Sequence, residues 1–443
     1  PEMSAFNLCQ EAESYLKAEK LDAAYLTCEK ALEILPFYPL ACQSMGNIFQ
    51  AMGKLDEAIN WYVQAIIQQP NWPEVYTNIG SLYAKQEKWQ PAINFYEKAL
   101  ELQPNLDIVY RNLSRVCQQV GYFSLAKQYW YYGQKIELEK KALEKLIQGN
   151  IQFSNGKIEE AIADYREVIE LNPNLSEAYL KLAEILVDKG ELESAIDCYQ
   201  NLTRLLPENW SIFYKIGKLF REIGKLNDAV KAFERAIEIN PKFPWSQKHL
   251  ADVLYEQGKL KPALTCYKKL IKSNPNIWNI YCKIGEILVN QGKINQAVVV
   301  YRKGLKLNPN FAKFYYKLGE ALSEQKKWKS AIKAYNQAIE LEADNFLFHR
   351  NLANCLRNIG RLNEAIISYR KAIEINPNSF WLYTLLGEVY IQQKNWSDAV
   401  ECLRQAIQIK PDYDKAYEKI AYVFEQLGDS EAAEKSRNEH ELP

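Results

Sequence analysis

Large apolar residues recur along the chain at helical spacing, and polar turns cut them into short runs. Many of the runs end alike: ELQPNL at 101–106, ELNPNL at 170–175, EINPKF at 238–243, KLNPNF at 306–311 and EINPNS at 374–379. In each, an apolar stripe meets a proline that a helix interior does not carry. These prolines are Pro36, Pro70, Pro104, Pro173, Pro207, Pro241, Pro275, Pro309, Pro377 and Pro411. Successive ones lie 34 residues or a multiple apart, except for 69 between Pro104 and Pro173. A fixed period of this size marks stacked supersecondary units.

With the proline as position 32, thirteen units align. Position 20 is always Ala, from Ala24 and Ala58 to Ala399 and Ala433, and position 8 is always Gly, Ala or Ser, as at Gly46, Gly80, Ser114, Gly217 and Gly285. Small residues twelve apart predict two helices that approach closely at these points. Large rings surround them. Position 4 carries Tyr76, Tyr110, Tyr179, Tyr281 and Tyr417, and position 24 carries Tyr62, Tyr96, Trp130, Tyr165, Phe233, Tyr301 and Tyr369. Position 15 is Gly in nine units, which predicts a left-handed cap on the first helix. Asp22, Asp56, Ser124, Asn227, Asn295, Asn363 and Ser397 at position 18 are expected to cap the second. Each unit therefore reads helix, Gly turn, helix, proline stop.

These columns resemble the tetratricopeptide repeat family: small residues at 8 and 20, aromatics at 4, 11 and 24, and proline at 32. The resemblance runs from residue 5 to about 440. It implies an all-α fold, a right-handed α–α superhelix (solenoid) of antiparallel helix pairs, with the first helices lining a concave groove.

The period breaks once. Ala126 to Ala161 and Ser114 to Gly149 both measure 35, and the proline expected between them is missing. Leu138, Leu143, Leu146 and Ile147 continue a helical stripe there, so a lengthened helix or irregular joint is expected near 133–146. The expected organisation is units 1–4 over 5–141, units 5–12 over 142–413, and a partial thirteenth unit or cap over 414–443. The alternative for the joint is a worn repeat that stacks normally.

Composition adds little to this and excludes much. The chain of 443 residues is 48% hydrophobic and 25% charged, with 55 basic and 55 acidic side chains. Balanced charge gives no reason to expect nucleic acid or an acidic membrane as partner. Nine cysteines without a CxxC pair suggest free thiols in a reducing compartment, so the expected location is cytoplasmic. The phosphate-loop, dinucleotide, zincin and nucleophile-elbow motifs are all absent. The three histidines, His249, His349 and His440, are too dispersed for a metal cluster or a nucleophile–base pair. No catalytic, cofactor or metal site is expected, and His349 at the aromatic position 4 reads as a packed substitute.

The family resemblance places positions 2, 5, 6, 9, 12 and 13 on the groove. Position 6 reads Lys181, Lys215, His249, Lys283 and Lys317 in five successive units. Position 9 answers with Glu184, Lys218, Asp252, Glu286 and Glu320, three residues on and on the same helix face. The ladder is either a self-paired polar surface or a stripe that selects acidic ligands. Tyr214, Tyr316 and Trp245 would add flat apolar contact between the charges. Asn47, Asn78, Asn112 and Asn351 are similar to the asparagine ladder of O-linked N-acetylglucosamine transferase repeats, which holds a peptide backbone. Arg350, Asn354, Lys415 and Lys419 match four of the five places of the dicarboxylate clamp in chaperone-binding members; Leu385 breaks the fifth. The expected function is a scaffold that binds extended or helical polypeptide segments of a protein or peptide partner. The alternative is the substrate-recruiting arm of a larger glycosyltransferase, methyltransferase or sulfotransferase.

Overall fold

A computed structural model describes residues 1–438, and among them are 25 α-helices and no strand. His440 and the end of the polar C-terminal stretch lie outside the described residues. The chain divides into two compact units, Pro1–Pro207 and Glu208–Pro443. In each, the first (A) helix of a repeat packs on its own second (B) helix, and the B helix packs on the A helix that follows. Neighbouring A helices also touch, as α1 (Glu2–Lys17) does α3 (Pro39–Ala51) and α16 (Trp278–Asn290) does α18 (Ala312–Glu324). B helices do not touch to the same extent, so the A side is the inner side of the stack within each unit.

The small columns fall where the helices cross. Every position-20 alanine is buried, none more than 2% exposed. At position 8, an ideal Cβ on Gly46 would sit 2.6 Å from the Tyr62 ring, and one on Gly217 would sit 2.7 Å from Phe233. The glycine is the space into which the position-24 ring of the same repeat fits. Position 27 is small in most repeats, where Ala31, Ala65, Ala99, Ala236, Ala338 and Ala372 are fully buried, and is Val168, Leu202 or Leu270 in repeats 5, 6 and 8. Gly304 holds the same place, where a Cβ would run into the ring of Phe314 in the next repeat.

The turn between A and B helices needs a left-handed residue at position 15. Glycines fill it nine times, with φ from 72° to 88°. Glu19, Glu87, Lys326 and Lys394 adopt the same conformation at φ 58–59°, against the preference of an L-residue.

Two sequence expectations are corrected. The position-18 residues do not cap the B helices, which begin one residue earlier, so these residues lie inside the first turn. Instead Asp56 and the three asparagines accept hydrogen bonds from position 14 of the next repeat: Gln86 to Asp56 (2.8 Å), Gln257 to Asn227 (2.9 Å), Gln325 to Asn295 (2.7 Å) and Gln393 to Asn363 (2.7 Å). Side-chain caps do occur on A helices, from Asn209 and Asn345. Trp130, in turn, is not core. It is 54% exposed, and in its repeat Ser114 stands where others have glycine, its hydroxyl donating to the Ala126 carbonyl at 2.8 Å.

The residues around 133–146 form the middle of one uninterrupted helix, α8 (Phe123–Ser154, 32 residues). No proline or left-handed residue interrupts it, so the B helix of repeat 4 runs on as the A helix of repeat 5. Asp107 is bonded by Lys140 from α8 and by Arg111 (2.7 Å). Burial alone would raise its pKa, but the two cations hold its carboxyl below the ordinary range.

Three substitutions at two positions test these contacts. Gly46→Val is expected to destabilise by about 1–3 kcal/mol, because the buried Tyr62 ring has no room to retreat. Gly46→Ala should cost less, since Ala251 opposes Tyr267 at the same columns. Glu87→Gly should stabilise by about 0.5–1 kcal/mol by removing left-handed strain. Urea midpoints of the purified chain read all three.

Candidate functional site

On the A side of the second unit, tyrosine hydroxyls rise from the core between the helices. A position-24 ring fills the position-8 gap, and its hydroxyl reaches position 9 of its own A helix. Tyr267 donates to Asp252 and Tyr369 to Asn354. The first unit repeats the arrangement, Tyr62 donating to Asn47 (2.6 Å), Tyr96 to Ser81 (3.0 Å) and Tyr165 to Asn150 (2.7 Å). Asn78 and Asn112, at position 6 of the following repeats, lie near the same hydroxyls of Tyr62 and Tyr96 and oppose the rise in pKa that burial causes there. With Oδ1 occupied, Asn47 and Asn354 have their Nδ2 donors left for a ligand.

Charges are interleaved across repeats. Lys317 pairs with Glu320 at 2.9 Å and Lys283 with Glu286 at 3.7 Å. Glu286 also takes Lys313 from the next repeat at 3.2 Å. Lys248 pairs with Asp252 at 2.8 Å, while the Arg221 Nε donates to Glu256 at 3.1 Å. At the far end, Glu388 is held by Arg357 at 2.6 Å and Lys419 at 2.9 Å. Burial would raise the pKa of Glu388, but those two bonds keep its carboxyl below the usual range. Position-by-position reading found the pairs three residues apart. Spacing within one repeat does not show Arg221, Lys313 and Glu388, whose partners lie in neighbouring repeats. Laying positions 2, 6, 9 and 12 of adjacent repeats side by side would have shown them.

The remaining expected residues lie as follows. His249 is half-buried, its ring stacked 5.6 Å from Phe233 and its Nδ1 3.2 Å from Arg221. Tyr214 is half-buried, its ring edge-on to Phe243 and Lys218 over its face. Tyr316 is only 9% exposed and packs on Phe348, so it reaches the site through its hydroxyl, which accepts from Asn351 at 3.3 Å. Arg350 donates through Nε to the Asn351 Oδ1 at 3.1 Å. Trp245 is 43% exposed, and Lys415 is exposed on α24 (Asp414–Gln426). Lys215 is half-buried on α12 (Trp210–Glu222) and Lys181 on α10 (Ser176–Asp188) in the first unit. In that unit, repeat 5 turns apolar on the same positions, with Leu143, Ile147 and Phe153 exposed.

Three cavities lie along this face of the second unit. One of about 560 Å³ is lined by Tyr255, Lys317, Glu320, Trp328, Asn351 and Asn354 among others. One of about 330 Å³ lies between Arg221, Lys248, Trp278 and Lys283, and one of about 720 Å³ between Phe311, Lys313, Leu347 and Phe348. Cys282 and Cys355 line two of them, and burial raises both thiols, that of Cys282 to about 11, which disfavours the thiolate.

Tetratricopeptide-repeat models match residues 46–87, 73–106, 334–367, 353–394 and 387–428, and a model of the C-terminal domain of cilia and flagella-associated protein 70 matches 125–345. The chain is a tetratricopeptide-repeat protein. The repeat protein is similar in structure to the C-terminal part of a TPR repeat-containing protein from Cytophaga hutchinsonii, at 17% identity and a TM-score of 0.49, over 54% of this chain and 98% of that one. It is also similar to YrrB, a TPR protein with an unusual peptide-binding site, at 26% identity, a TM-score of 0.39, and 42% and 96% of the two chains. Yeast Tom70 is similar at 16% identity, a TM-score of 0.37, and 90% and 98% coverage. No curated protein sequence matches it. Among the described residues, no helix is long and apolar enough to cross a membrane.

His249 supplies a pH test. Burial lowers its pKa to about 4, aided by Lys248, Arg221 and Lys218 and opposed by Asp252. A depressed histidine pKa means the unfolded chain takes up the proton first. Stability from the neutral ring is thus complete above about pH 6.5 and declines as pH falls toward 4. His249→Asn, which copies position 6 of repeats 3, 4 and 11, should flatten the drop in urea midpoint between those pH values relative to wild type.

Proposed function

We propose that this interaction scaffold binds an extended segment of a protein partner along the A side of its second unit. The observation that carries the reading is the run of cavities over repeats 8–11, walled by alternating paired charges and amide donors. Side chains repeat there once per A helix, so one peptide chain meets many weak, regularly spaced contacts. The more exposed of the internal ion pairs, such as Lys317–Glu320, are individually weak, on the order of 0.2–1 kcal/mol. An incoming acidic or basic side chain exchanges with one partner of a pair instead of filling an empty charge site. Asn354 and Asn351 serve the peptide backbone, and Trp245 serves an apolar side chain.

A photo-crosslinking residue in place of Trp245 should capture a protein adduct from lysate. The same residue at Lys231, exposed on a B helix, should not. Adding Lys215→Glu, Lys283→Glu and Lys317→Glu together should abolish the adduct while leaving the unfolding free energy from urea titration within about 1 kcal/mol of wild type. Equal capture from both sites, or capture indifferent to the triple change, would overturn the reading.

A further inference from the structure

Zero net charge conceals a segregated surface on the B side of the second unit. Where position 26 is a base, as in repeats 1, 3, 7 and 11, position 29, one turn on, is an acid. Lys98 pairs with Glu101 at 2.7 Å, Arg235 with Glu238 at 3.0 Å, and Lys371 with Glu374 at 2.8 Å. Repeats 8 and 9 break this rule. On α15 (Leu260–Ser273), positions 25, 26 and 29 are Lys268, Lys269 and Lys272; on α17 (Ile294–Leu307) they are Arg302, Lys303 and Lys306. All six are exposed, and neither helix contains an Asp or Glu. None of the six enters an ion pair among the described residues. The acids return at the same position on either side, as Glu238 and Glu340. Lys259, Lys293 and Lys327 in the turns extend the positive field at the other end of the helices.

We infer that this B-side face of repeats 8 and 9 is a docking surface for an acidic, flexible polypeptide segment, separate from the A-side cavities. Charge complementarity selects an anion. Five of the six bases are lysines, point charges on mobile stems that ask for no planar, bidentate partner. Large apolar side chains exposed on the two helices are limited to Val299 and Leu307. There is accordingly no aromatic platform on which unpaired bases stack, and no Trp or Phe anchor for a bilayer interface. The B side is also the outer side of the stack, which a rigid duplex meets along a line but a flexible chain follows. An unstructured run of Glu and Asp fits all of these features.

The test uses the full chain and a fluorescein-labelled peptide of about twelve alternating Glu and Asp residues, long enough to span both helices at about 3.3 Å per residue. Binding should be measurable at about 50 mM salt and fade as the Debye length shrinks. Replacing the six bases by Gln (K268Q, K269Q, K272Q, R302Q, K303Q, K306Q) should weaken it about thirtyfold, whereas R235Q with K371Q should change it less than about twofold. Either triple alone should give an intermediate loss, which serves if the sixfold variant misfolds by circular dichroism. Four results would each overturn the inference. They are no binding to wild type, no loss in the B-side variants, equal loss from Lys283→Gln with Lys317→Gln on the A side, or tighter six-base-dependent binding of a labelled duplex or of phosphatidylserine vesicles than of the peptide.

Discussion

The close approach of two helices at positions 8 and 20 governs the rest of the molecule. An alanine on the B helix and a glycine or other small residue on the A helix bring the two backbones together, and the gap beside the glycine admits the ring at position 24. The buried ring then carries a hydroxyl that must find a partner, since an unsatisfied buried oxygen costs about 1–3 kcal/mol. It finds one on the inner face, at position 9: Asn47, Ser81, Asn150, Asp252 or Asn354. A packing requirement in the core thereby fixes which atoms of the inner surface remain for a ligand. In repeats 2, 3, 5, 8 and 11 core and surface are linked through this phenol.

The inner and outer faces solve their electrostatics differently. On the inner face of the second unit Asp252, Glu286 and Glu388 each hold cations from more than one repeat. Such links cost side-chain entropy and return little individually, yet they tie successive repeats together where only neighbours stabilise one another. The position 14-to-18 bonds from Gln86, Gln257, Gln325 and Gln393 do the same at the turns. The outer face of repeats 8 and 9 has no such compensation.

Much of this was legible before any coordinates. The period, the two small columns, the left-handed turn and the all-α fold follow from local rules that each repeat obeys independently. His349 was legible too, because position 4 is defined by its neighbours: its Nε2 lies 2.9 Å from the carbonyl of Ala343, as the Tyr281 hydroxyl lies 2.9 Å from that of Pro275. What failed were readings that depend on where one residue sits relative to a helix start or to another repeat. Asp, Asn and Ser at position 18 favour caps, but a residue inside the first turn can use the same oxygen on a neighbour. Tyr316 was placed on the surface by its column, whereas its ring is drawn into the core against Phe348.

Repeats also make the chain its own control. A column occupied thirteen times shows what the fold demands, and a departure shows what it does not. Glutamate or lysine in the left-handed turn shows that strain there is tolerated when stacking on both sides holds the turn in place. By the same logic, Lys272 and Lys306 cannot be demanded by the fold, since Glu238 and Glu374 fill that column in repeats with the same helices and the same buried alanines. Placing like charges one turn apart destabilises a helix slightly, by about 0.2–0.5 kcal/mol per pair. Repeats 8 and 9 both accept that cost, in the same register. Packing gives no reason for it, which leaves the reason outside the chain, in whatever negative charge that face meets.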